Sequence, residues 1–460
     1  MKKKIAQVVI GLSLVMPMET FSLVSESTGK TPAGLEKFLS VSGARTTLPV
    51  DKAKKPYSNE FIKEARENFD NFHLQMGGDH ALYYNMHLSE FLPSSDSLPN
   101  ETYMPLKTKI NKKIGKITVQ TGQGELTLDE YANHPMFRLQ GLMMIHKGEI
   151  VYENYPGMNP NDKHVWMSAA KSTVGLVITQ LIAEGKVDPE KSITKYVPQL
   201  KGTNWDGVKT INVLNHTTGL DLEETGASIL NPESEVVRFF SATFGAANPA
   251  TGKVENWIDV LRDAKKLDEA PGTQFRYSSP NTLVLIQMAE NIEGISWAKL
   301  FQERVWGKMG ARMSATHNLT PEGTATAFGL TATTLEDMAR FGMLFTPSWK
   351  KTAHEKVVND EVLKIIYEGQ DKKAFIGSAK AKSAPSVFGE FKPVAVSHQF
   401  DYIFEDGAMF KSGNLGQGIY IDPARDFVGV YFSTNPYIDG YGEVKAPEYI
   451  RKAAIELSGK

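Results

Sequence analysis

The chain has 460 residues, of which 41% are hydrophobic and 23% are charged, a balance typical of a globular protein with a sizeable core. Its formal net charge of −2 at pH 7 gives no reason to expect binding to nucleic acid or to an anionic membrane surface. The absence of cysteine excludes disulfides, thiol catalysis, thiolate metal sites and a lipoprotein-type cysteine anchor.

The N-terminus has the pattern of a secretory signal peptide. Lysines at residues 2–4 precede an apolar stretch at residues 5–18, and small residues at 25–27 offer a cleavage site. The apolar stretch is short for a membrane span, and a retained N-terminal anchor is the alternative. We therefore predict a signal peptide over residues 1–27. Export without disulfides fits a bacterial periplasm better than a eukaryotic secretory route.

Residues 28–134 have the weakest structural patterns. Within them, residues 59–77 predict one amphipathic helix, because apolar side chains recur at helical spacing. The Ser- and Pro-rich residues 93–100 predict a connector. The sequence does not distinguish between a role for this part of the chain in covering a site and a role in pairing protomers.

Strand patterns lie at both ends of the remaining chain, at residues 139–146, 149–152, 408–412, 418–422 and 427–433. The first two predict a hairpin that turns at Lys147-Gly148, and a C-terminal helix is predicted over residues 446–457. Helical patterns dominate between residues 168 and 345. We therefore predict an α+β fold in which both chain ends build one antiparallel sheet flanked by helices, with a helical subdomain inserted between them.

Ser168 and Lys171 form the most informative pair in the sequence. A serine hydroxyl is a poor nucleophile until a base removes its proton, and residues i and i+3 of a helix lie about 5–6 Å apart on one face. Lys171 is therefore placed to act as the base for Ser168. A capping serine with a solvated lysine is the alternative, because the Ser-x-x-Lys pattern recurs at Ser27, Ser192, Ser296 and Ser348.

The residues after Lys171 distinguish this pair from the other four. Residues 172–184 are apolar on nearly every side and are followed by Gly185, which predicts a buried helix with a glycine stop. A serine in the first turn of such a helix lies where developing negative charge is stabilised. The context favours a catalytic pair at Ser168 and Lys171.

Two further residues, His216 and Trp257, are candidates for a role in the site. His216 invites a serine–histidine arrangement, but it lies in a tight turn, and no Gly-x-Ser-x-Gly segment accompanies it, so a structural role is predicted. Trp257 lies between the serine and the next polar motif and is the tryptophan predicted to line a substrate site.

Tyr277-Ser278-Ser279 follows a turn and precedes a helix predicted over residues 281–290. One interpretation is a buried, hydrogen-bonded tyrosine. The other is a phenol beside lysine ammonium groups, whose ionised form is favoured and which passes a proton to the leaving group.

Lys411-Ser412-Gly413-Asn414 ends a predicted strand, where a glycine lets another segment approach the backbone closely. Lys411 has two candidate roles: it could hold an anionic group of the substrate, or it could keep Lys171 neutral by adding positive charge nearby. The backbone amide of Asn414 is a candidate for half of an oxyanion hole.

Together, these three segments resemble those of the serine β-lactamase and penicillin-binding-protein superfamily. The match is best to the class C-related branch, which includes esterases, D-aminopeptidases and 6-aminohexanoate-dimer hydrolases. Further segments that follow the family's pattern lie at residues 181–187, 193–198, 213–220, 328–333, 339–342 and 416–423. The resemblance implies a β-lactamase/transpeptidase-like domain over residues 135–460, preceded by an extension at residues 28–134.

The resemblance also implies roles for individual residues. Ser168 would attack a carbonyl, Lys171 and Tyr277 would move protons, Lys411 would supply positive charge, and the amides of Ser168 and Asn414 would bind the oxyanion. Ser279, Ser412 and Gly413 would line the substrate and oxyanion sites.

Two positions bear on the substrate. Ser279 stands where true class C enzymes and penicillin-binding proteins have asparagine, which argues against efficient β-lactam hydrolysis and resembles the esterase and oligomer-hydrolase branch. Lys411 stands where many esterase relatives have histidine, so a substrate with a carboxylate beside its amide or ester bond suits the site.

We therefore predict an exported serine hydrolase that cleaves an amide or ester of a small molecule without a cofactor or metal, as a monomer or homodimer. The alternatives are a penicillin-binding or sensor-like module with slow or no turnover, a D-Ala-type peptidase and a β-lactamase. The sequence does not distinguish an esterase, an amino-acid oligomer hydrolase and a D-amino-acid peptidase, because the residues that line the pocket are not identifiable from it.

Overall fold

The structure, a computed structural model, describes residues 35–436 and 443–459, so the predicted signal peptide lies outside the described residues. The described α-helices are α1 (Leu35–Ser40), α2 (Asn59–Glu67), α3 (Asn71–Met76), α4 (Asp79–His87), α5 (Leu128–Asn133), α6 (Lys171–Ala183), α7 (Thr210–Leu214), α8 (Gly226–Leu230), α9 (Glu235–Thr243), α10 (Trp257–Arg262), α11 (Ser279–Glu293), α12 (Trp297–Arg304), α13 (Leu335–Met343), α14 (Asp360–Glu368), α15 (Lys372–Phe375), α16 (Ala379–Phe388) and α17 (Ala446–Ser458). The described strands are β1 (Ser94–Ser97), β2 (Lys107–Thr108), β3 (Thr118–Thr121), β4 (Gly124–Thr127), β5 (Leu139–His146), β6 (Glu149–Asn154), β7 (His164–Val165), β8 (Ala315–Asn318), β9 (Thr331–Thr333), β10 (Pro393–Ser397), β11 (Phe400–Phe404), β12 (Met409–Gly413), β13 (Gln417–Asp422) and β14 (Phe427–Ser433).

The central sheet has eight strands in the order β10-β11-β12-β13-β14-β5-β6-β2. All of its neighbouring pairs are antiparallel except the short pair β2 and β6. Strand β14 from the C-terminal part pairs with β5 from the N-terminal part, with Val430 opposite Met143. The α+β prediction of one sheet built by both chain ends is confirmed.

The predicted hairpin at residues 139–152 is present as β5 and β6. Its two turn residues, Lys147 and Gly148, have φ angles of 51° and 70°. Two consecutive residues with positive φ give the turn that matches the right-handed twist of a hairpin, and this geometry explains the glycine at the second position.

Both faces of the central sheet are covered. Along β14, Val428 and Val430 point into the buried cluster that contains α6, whereas Phe427 and Tyr431 point into the cluster that contains α17. This alternation within a completely buried strand places β14 in the middle layer, with helices on each side.

Helix α6 is buried along almost its full length, from Lys171 to Leu181. Gly185 follows it with a φ angle of 71°, as the predicted glycine stop requires. The prediction of a central apolar helix is confirmed. Ser168 lies one turn earlier than predicted, in a separate 3₁₀ turn, Met167–Ala170, that leads directly into the helix.

The predicted single helix over residues 59–77 is wrong. The segment forms α2 and α3, separated at residues 68–70, because Asp70 has an extended backbone and its carboxylate accepts a hydrogen bond from the His73 backbone N–H. Aspartate competes with the helical backbone for hydrogen bonds in this way, so it begins a new helix rather than continuing the old one.

Residues 93–100 are also more ordered than the predicted connector. Four of them form β1, which pairs with β8 in a small sheet of order β1-β8-β9-β7. This sheet interrupts the region that the helical patterns dominate. Its strands are only two to four residues long, too short for a clear alternation of apolar and polar residues. None of the described helices is long and apolar enough to cross a membrane.

Candidate active site

Ser168 lies half-buried on the wall of a cavity of about 540 Å³, beside the buried end of Lys171. The Lys171 Nζ atom lies 3.0 Å from Ser168 Oγ, 2.8 Å from Ser279 Oγ and 2.7 Å from the Phe328 carbonyl oxygen. Ser279 and the Phe328 carbonyl thus hold the Lys171 amine within hydrogen-bonding distance of the Ser168 hydroxyl. The structure therefore brings the two residues of the first motif and Ser279 of the second together.

Burial, assisted by the charges of Lys411 and Lys380, lowers the pKa of Lys171 to about 7, although Glu224 and Asp401 act in the opposite direction. The side chain is completely buried, so the charged form is poorly solvated. A substantial fraction of Lys171 is therefore neutral near pH 7 and able to accept a proton, as a general base must.

Tyr277 lies half-buried among three lysines. The centroid of its ring is 4.5 Å from Lys411 Nζ, 4.8 Å from Lys380 Nζ and 5.1 Å from Lys171 Nζ. Lys411 also donates a hydrogen bond of 3.4 Å to the phenol oxygen. The tyrosine ring thus lies beside three buried lysine side chains, and its phenol oxygen accepts a hydrogen bond from one of them.

Lys411 is completely buried on β12 and forms an ion pair with Asp401, a residue that sequence reasoning missed. Asp401 on β11 accepts a 2.5 Å hydrogen bond from Lys411 Nζ and further hydrogen bonds from the backbone N–H and hydroxyl of Ser412. Burial lowers the pKa of Lys411 to about 8, against the effect of Asp401. Lys411 is therefore a buried partner of Tyr277 and Asp401.

Lys380 on α16 is a second residue that sequence reasoning missed. Its Nζ atom donates hydrogen bonds of 3.1 Å to Asp401 and 3.1 Å to the Ser412 hydroxyl, and its side chain lines the cavity. Burial alone would raise the pKa of Asp401, but the charges of Lys380 and Lys411 hold it below its usual range. Two ammonium groups share one carboxylate, so the cluster carries net positive charge.

Gly413 and Asn414 lie directly against the segment that carries Ser168. A Cβ atom at Gly413 would meet the Trp166 carbonyl oxygen at 2.5 Å, so only glycine allows this approach. The approach brings the chain around Asn414 next to the chain around Ser168. Ser412, Gly413 and Asn414 all line the cavity with Ser168.

Glu224 is a third missed residue at the cavity. Its carboxylate accepts a hydrogen bond from the Ser279 backbone N–H at the start of α11, and its own N–H donates to the Tyr277 carbonyl oxygen at 2.8 Å. It fixes the loop that carries the second motif to the edge of the site. The pattern Leu-Glu-Glu-Thr at residues 222–225 has no feature that signals this role.

Trp257 lies elsewhere. It is 2% exposed, begins α10 and packs in the main buried cluster rather than on the cavity wall. The apolar wall is formed by phenylalanine, methionine and aliphatic residues; its phenylalanines include Phe72, Phe240, Phe244 and Phe328.

His216 is buried behind Tyr277, with the ring centroids 5.2 Å apart and its Nδ1 atom 3.3 Å from the Asn281 amide nitrogen. Burial, followed by the charges of Lys411 and Lys171, holds the pKa of His216 well below its usual value. Its φ angle of 55° places it in the tight turn that the sequence indicated. Its contacts support Tyr277 from the side away from the cavity.

Comparisons with known proteins give matches over most of the chain. A family model described as "Beta-lactamase" matches residues 138–454. A 6-aminohexanoate-dimer hydrolase of Paenarthrobacter ureafaciens is 26% identical over 351 residues, which cover 76% of this chain and 84% of that protein.

Two solved structures share the fold. One, from Bacillus anthracis, is named provisionally as a 6-aminohexanoate-dimer hydrolase; it aligns with a TM-score of 0.64 at 21% identity and covers 85% of this chain and 94% of its own. The other, from Bacteroides dorei DSM 17855, is named provisionally as a β-lactamase; it has a TM-score of 0.54 at 16% identity and covers 72% and 97% of the two chains.

Proposed function

Because the chain belongs to the β-lactamase family and is a hydrolase of that superfamily, we propose that it cleaves an amide or ester bond of a small molecule through an acyl-enzyme on Ser168. The observation that carries the proposal is the buried amine of Lys171, held 3.0 Å from the Ser168 hydroxyl in a cavity wall. A neutral amine at that distance accepts the hydroxyl proton as the oxygen attacks the substrate carbonyl.

The remaining steps use residues already placed around the cavity. The amides of Ser168 and Asn414 stabilise the oxyanion of the tetrahedral intermediate. Tyr277, hydrogen-bonded to Lys411, delivers a proton to the leaving nitrogen or oxygen, and the bond to the leaving group breaks. Acylation leaves Lys171 holding the proton from Ser168 and Tyr277 without its own. Water then attacks the acyl-enzyme, giving one proton to the Tyr277 oxygen and its hydroxyl to the acyl carbon, and Lys171 returns its proton to Ser168 as the ester bond breaks.

The size and lining of the cavity favour a linear, partly apolar substrate. A cavity of about 540 Å³ lies within the range of small-molecule sites, and its phenylalanine walls suit methylene chains. The relative from Paenarthrobacter ureafaciens, named for a dimer of 6-aminohexanoate, acts on a substrate of this kind. We propose the same substrate class here: a linear amide or ester, with 6-aminohexanoate dimer as the first compound to assay.

Lys380 is better placed than Lys411 to attract a carboxylate of such a substrate. Both lysines are buried and ion-paired with Asp401, but of the two, Lys380 is the one that lines the cavity. An anionic group near Lys380 would lie next to Tyr277, on the side of the leaving group. This proposal transfers the anion-binding role from the predicted residue to its neighbour on α16.

A substrate panel tests the proposed function. Turnover is measured with 6-aminohexanoate dimer, p-nitrophenyl acetate, a p-nitrophenyl ester that carries a carboxylate, and nitrocefin. We expect hydrolysis of the linear amide and the esters, a lower KM for the carboxylate-bearing ester, and the slowest turnover for nitrocefin. A folded protein that turns over none of the four would contradict the proposal and favour a binding module of the same fold.

The pH dependence of kcat/KM follows from the two buried lysines. Lys171 must be neutral to accept a proton, so activity should fall about tenfold per pH unit below its pKa of about 7. Lys411 must be protonated to donate to Tyr277, so activity should fall again above its pKa of about 8. A profile of kcat/KM from pH 5 to 10 checks both limbs, and a flat profile between pH 5 and 7 would exclude Lys171 as the base.

A further inference from the structure

The two backbone amides that the proposed mechanism uses for the oxyanion each have a neighbour in an unusual backbone conformation. Met167, directly before Ser168, has a φ angle of 45°, and Leu415, directly after Asn414, has a φ angle of 60°. L-residues rarely adopt such angles, and they persist only where surrounding structure holds them. The orientation of both backbone N–H groups therefore depends on the residues that pack around Met167 and Leu415.

The packing around these two residues comes largely from the N-terminal part of the chain. Met167 and Leu415 belong to one buried cluster, whose other members lie mostly between residues 65 and 88, including the completely buried Leu74 and Tyr84. These residues precede residue 138, where the match to the family model begins. A segment outside the family match thus holds both strained positions.

Hydrogen bonds attach the same segment to Asn414. The Asn414 side-chain amide donates to the Gln75 backbone carbonyl at 2.9 Å and to Gln75 Oε1 at 3.0 Å. The Gln75 amide nitrogen in turn donates to Asn71 Oδ1 at 3.1 Å, which fixes the glutamine on α3. The main-chain position of Asn414 is therefore tied to helix α3 by its own side chain.

A second connection reaches Leu415 from α4. Asn85 donates a 2.9 Å hydrogen bond to the Thr434 hydroxyl, and the next residue, Asn435, donates its backbone N–H to the Leu415 carbonyl at 2.9 Å. The chain at residues 433–435 is thus held between the N-terminal segment and Leu415. Both sides of the glycine-rich turn after β12 are attached to residues 71–85.

Helix α3 also forms part of the cavity wall, through Asn71, Phe72, Gln75 and Met76. It faces the same space as Ser168 and Asn414. Contact with the cavity and contact with Asn414 therefore come from one short helix.

We propose that residues 71–85 position the catalytic centre, with Gln75 acting as a positioning residue that orients the Asn414 amide toward the oxyanion. The proposal rests on the proposed function, because it assigns a role within that reaction. It also gives the N-terminal extension a task that the family-matched part of the chain does not perform by itself.

Asn414→Ala and Gln75→Ala test the proposal in the full-length protein. Asn414→Ala keeps the main-chain amide and removes both hydrogen bonds to Gln75, whereas Gln75→Ala removes one of them. The matched control is Ser58→Ala, which removes the hydrogen bond that Ser58 Oγ accepts from the Phe61 N–H at the start of α2, outside residues 71–85 and off the cavity wall. Each variant is assayed for kcat, KM, the pH profile and the rate of labelling of Ser168 by a fluorophosphonate.

We expect Asn414→Ala to lower kcat about 10- to 100-fold, somewhat less than complete loss of an oxyanion donor, and Gln75→Ala to lower it about threefold to tenfold. KM should change less than kcat, because each variant shortens one side chain of the cavity wall and leaves its phenylalanines in place. Both pH limbs should stay near the wild-type values, because the lysines are unchanged. The rate of fluorophosphonate labelling should fall in parallel with kcat, since the phosphonyl oxygen occupies the same oxyanion site. Ser58→Ala should match the wild type in all four readouts.

Two results would overturn the inference, and they are distinguishable. If the wild type hydrolyses its substrate but both variants keep kcat within twofold of Ser58→Ala, the N-terminal segment has no positioning role, while the proposed function stands. If the wild type shows neither turnover nor labelling of Ser168, the proposed function fails and the inference fails with it.

Discussion

Lys171→Met is expected to reduce kcat/KM by about 10²- to 10⁴-fold, the usual contribution of a general base. Methionine is close to lysine in length and is apolar, so it fills the buried site without an amine that can accept the Ser168 proton. The main structural cost of the substitution arises at the Phe328 carbonyl, which loses its 2.7 Å hydrogen bond. A buried acceptor left without a partner lowers the free energy of unfolding by about 1–3 kcal/mol. Steady-state kinetics at pH 7.5 and a thermal unfolding curve separate the two effects.

The chain offers a matched control for this substitution. Ser296 and Lys299 form the same Ser-x-x-Lys pattern at the start of α12, but the Lys299 side chain is 53% exposed and ion-paired with Glu303. Lys299→Met should leave kcat/KM unchanged, because the exposed lysine contacts no part of the cavity wall. Equal activity of the two variants would contradict the assignment of Lys171 as the base.

Asp401→Asn is expected to lower the free energy of unfolding by roughly 3–5 kcal/mol, the cost of removing one partner from a buried ion pair. Asparagine keeps the shape of aspartate but leaves Lys411 and Lys380 without their shared counter-charge. Urea unfolding at several pH values measures the effect. The loss should be larger at pH 6 than at pH 9, because Lys411, with a pKa of about 8, is protonated at the lower pH and neutral at the higher one.

The same variant has a kinetic signature that a purely structural role would not produce. Asp401 raises the pKa of Lys171, so its removal should move the acid limb of kcat/KM to lower pH. Glu303→Gln is the control, since that carboxylate is 53% exposed in a surface ion pair and should change neither readout. A stability of Asp401→Asn equal to that of the wild type at pH 6 would contradict the buried charge cluster.

The core of the candidate site was predictable because its chemistry lies in short local patterns. Ser168 and Lys171 are three residues apart ahead of an apolar helix, and the strand that carries Lys411 ends in Ser-Gly. The strands of the C-terminal half were predictable for a related reason. Each has a clear apolar pattern bounded by turn residues such as those at 422–426.

The residues that sequence reasoning missed act through contacts between distant parts of the chain. Gln75 and Asn414 are 339 positions apart, and no local pattern links them. Lys380 lies on a helix whose sequence, Ala-Lys-Ala-Lys-Ser, resembles an ordinary solvated surface. Only the packing of α16 against β11 and β12 turns one of its lysines into the cavity.

Asp401 did leave a signal in the sequence. It is the one charged residue in Phe400-Asp401-Tyr402-Ile403-Phe404, a short and otherwise apolar strand. A carboxylate in such a strand is costly to bury without a partner, so it predicts a nearby cation. The break between α2 and α3 had a comparable signal, since Asn68 and Asp70 favour helix ends over helix interiors.

Intact-mass analysis with a fluorophosphonate probe, followed by peptide mapping, tests the central claim most directly. An acyl-enzyme mechanism on Ser168 predicts one covalent adduct on that serine. The adduct should be absent in Ser168→Ala and should form far more slowly in Lys171→Met. An adduct on another residue, or hydrolysis that persists in Ser168→Ala, would contradict the assignment of Ser168 as the nucleophile.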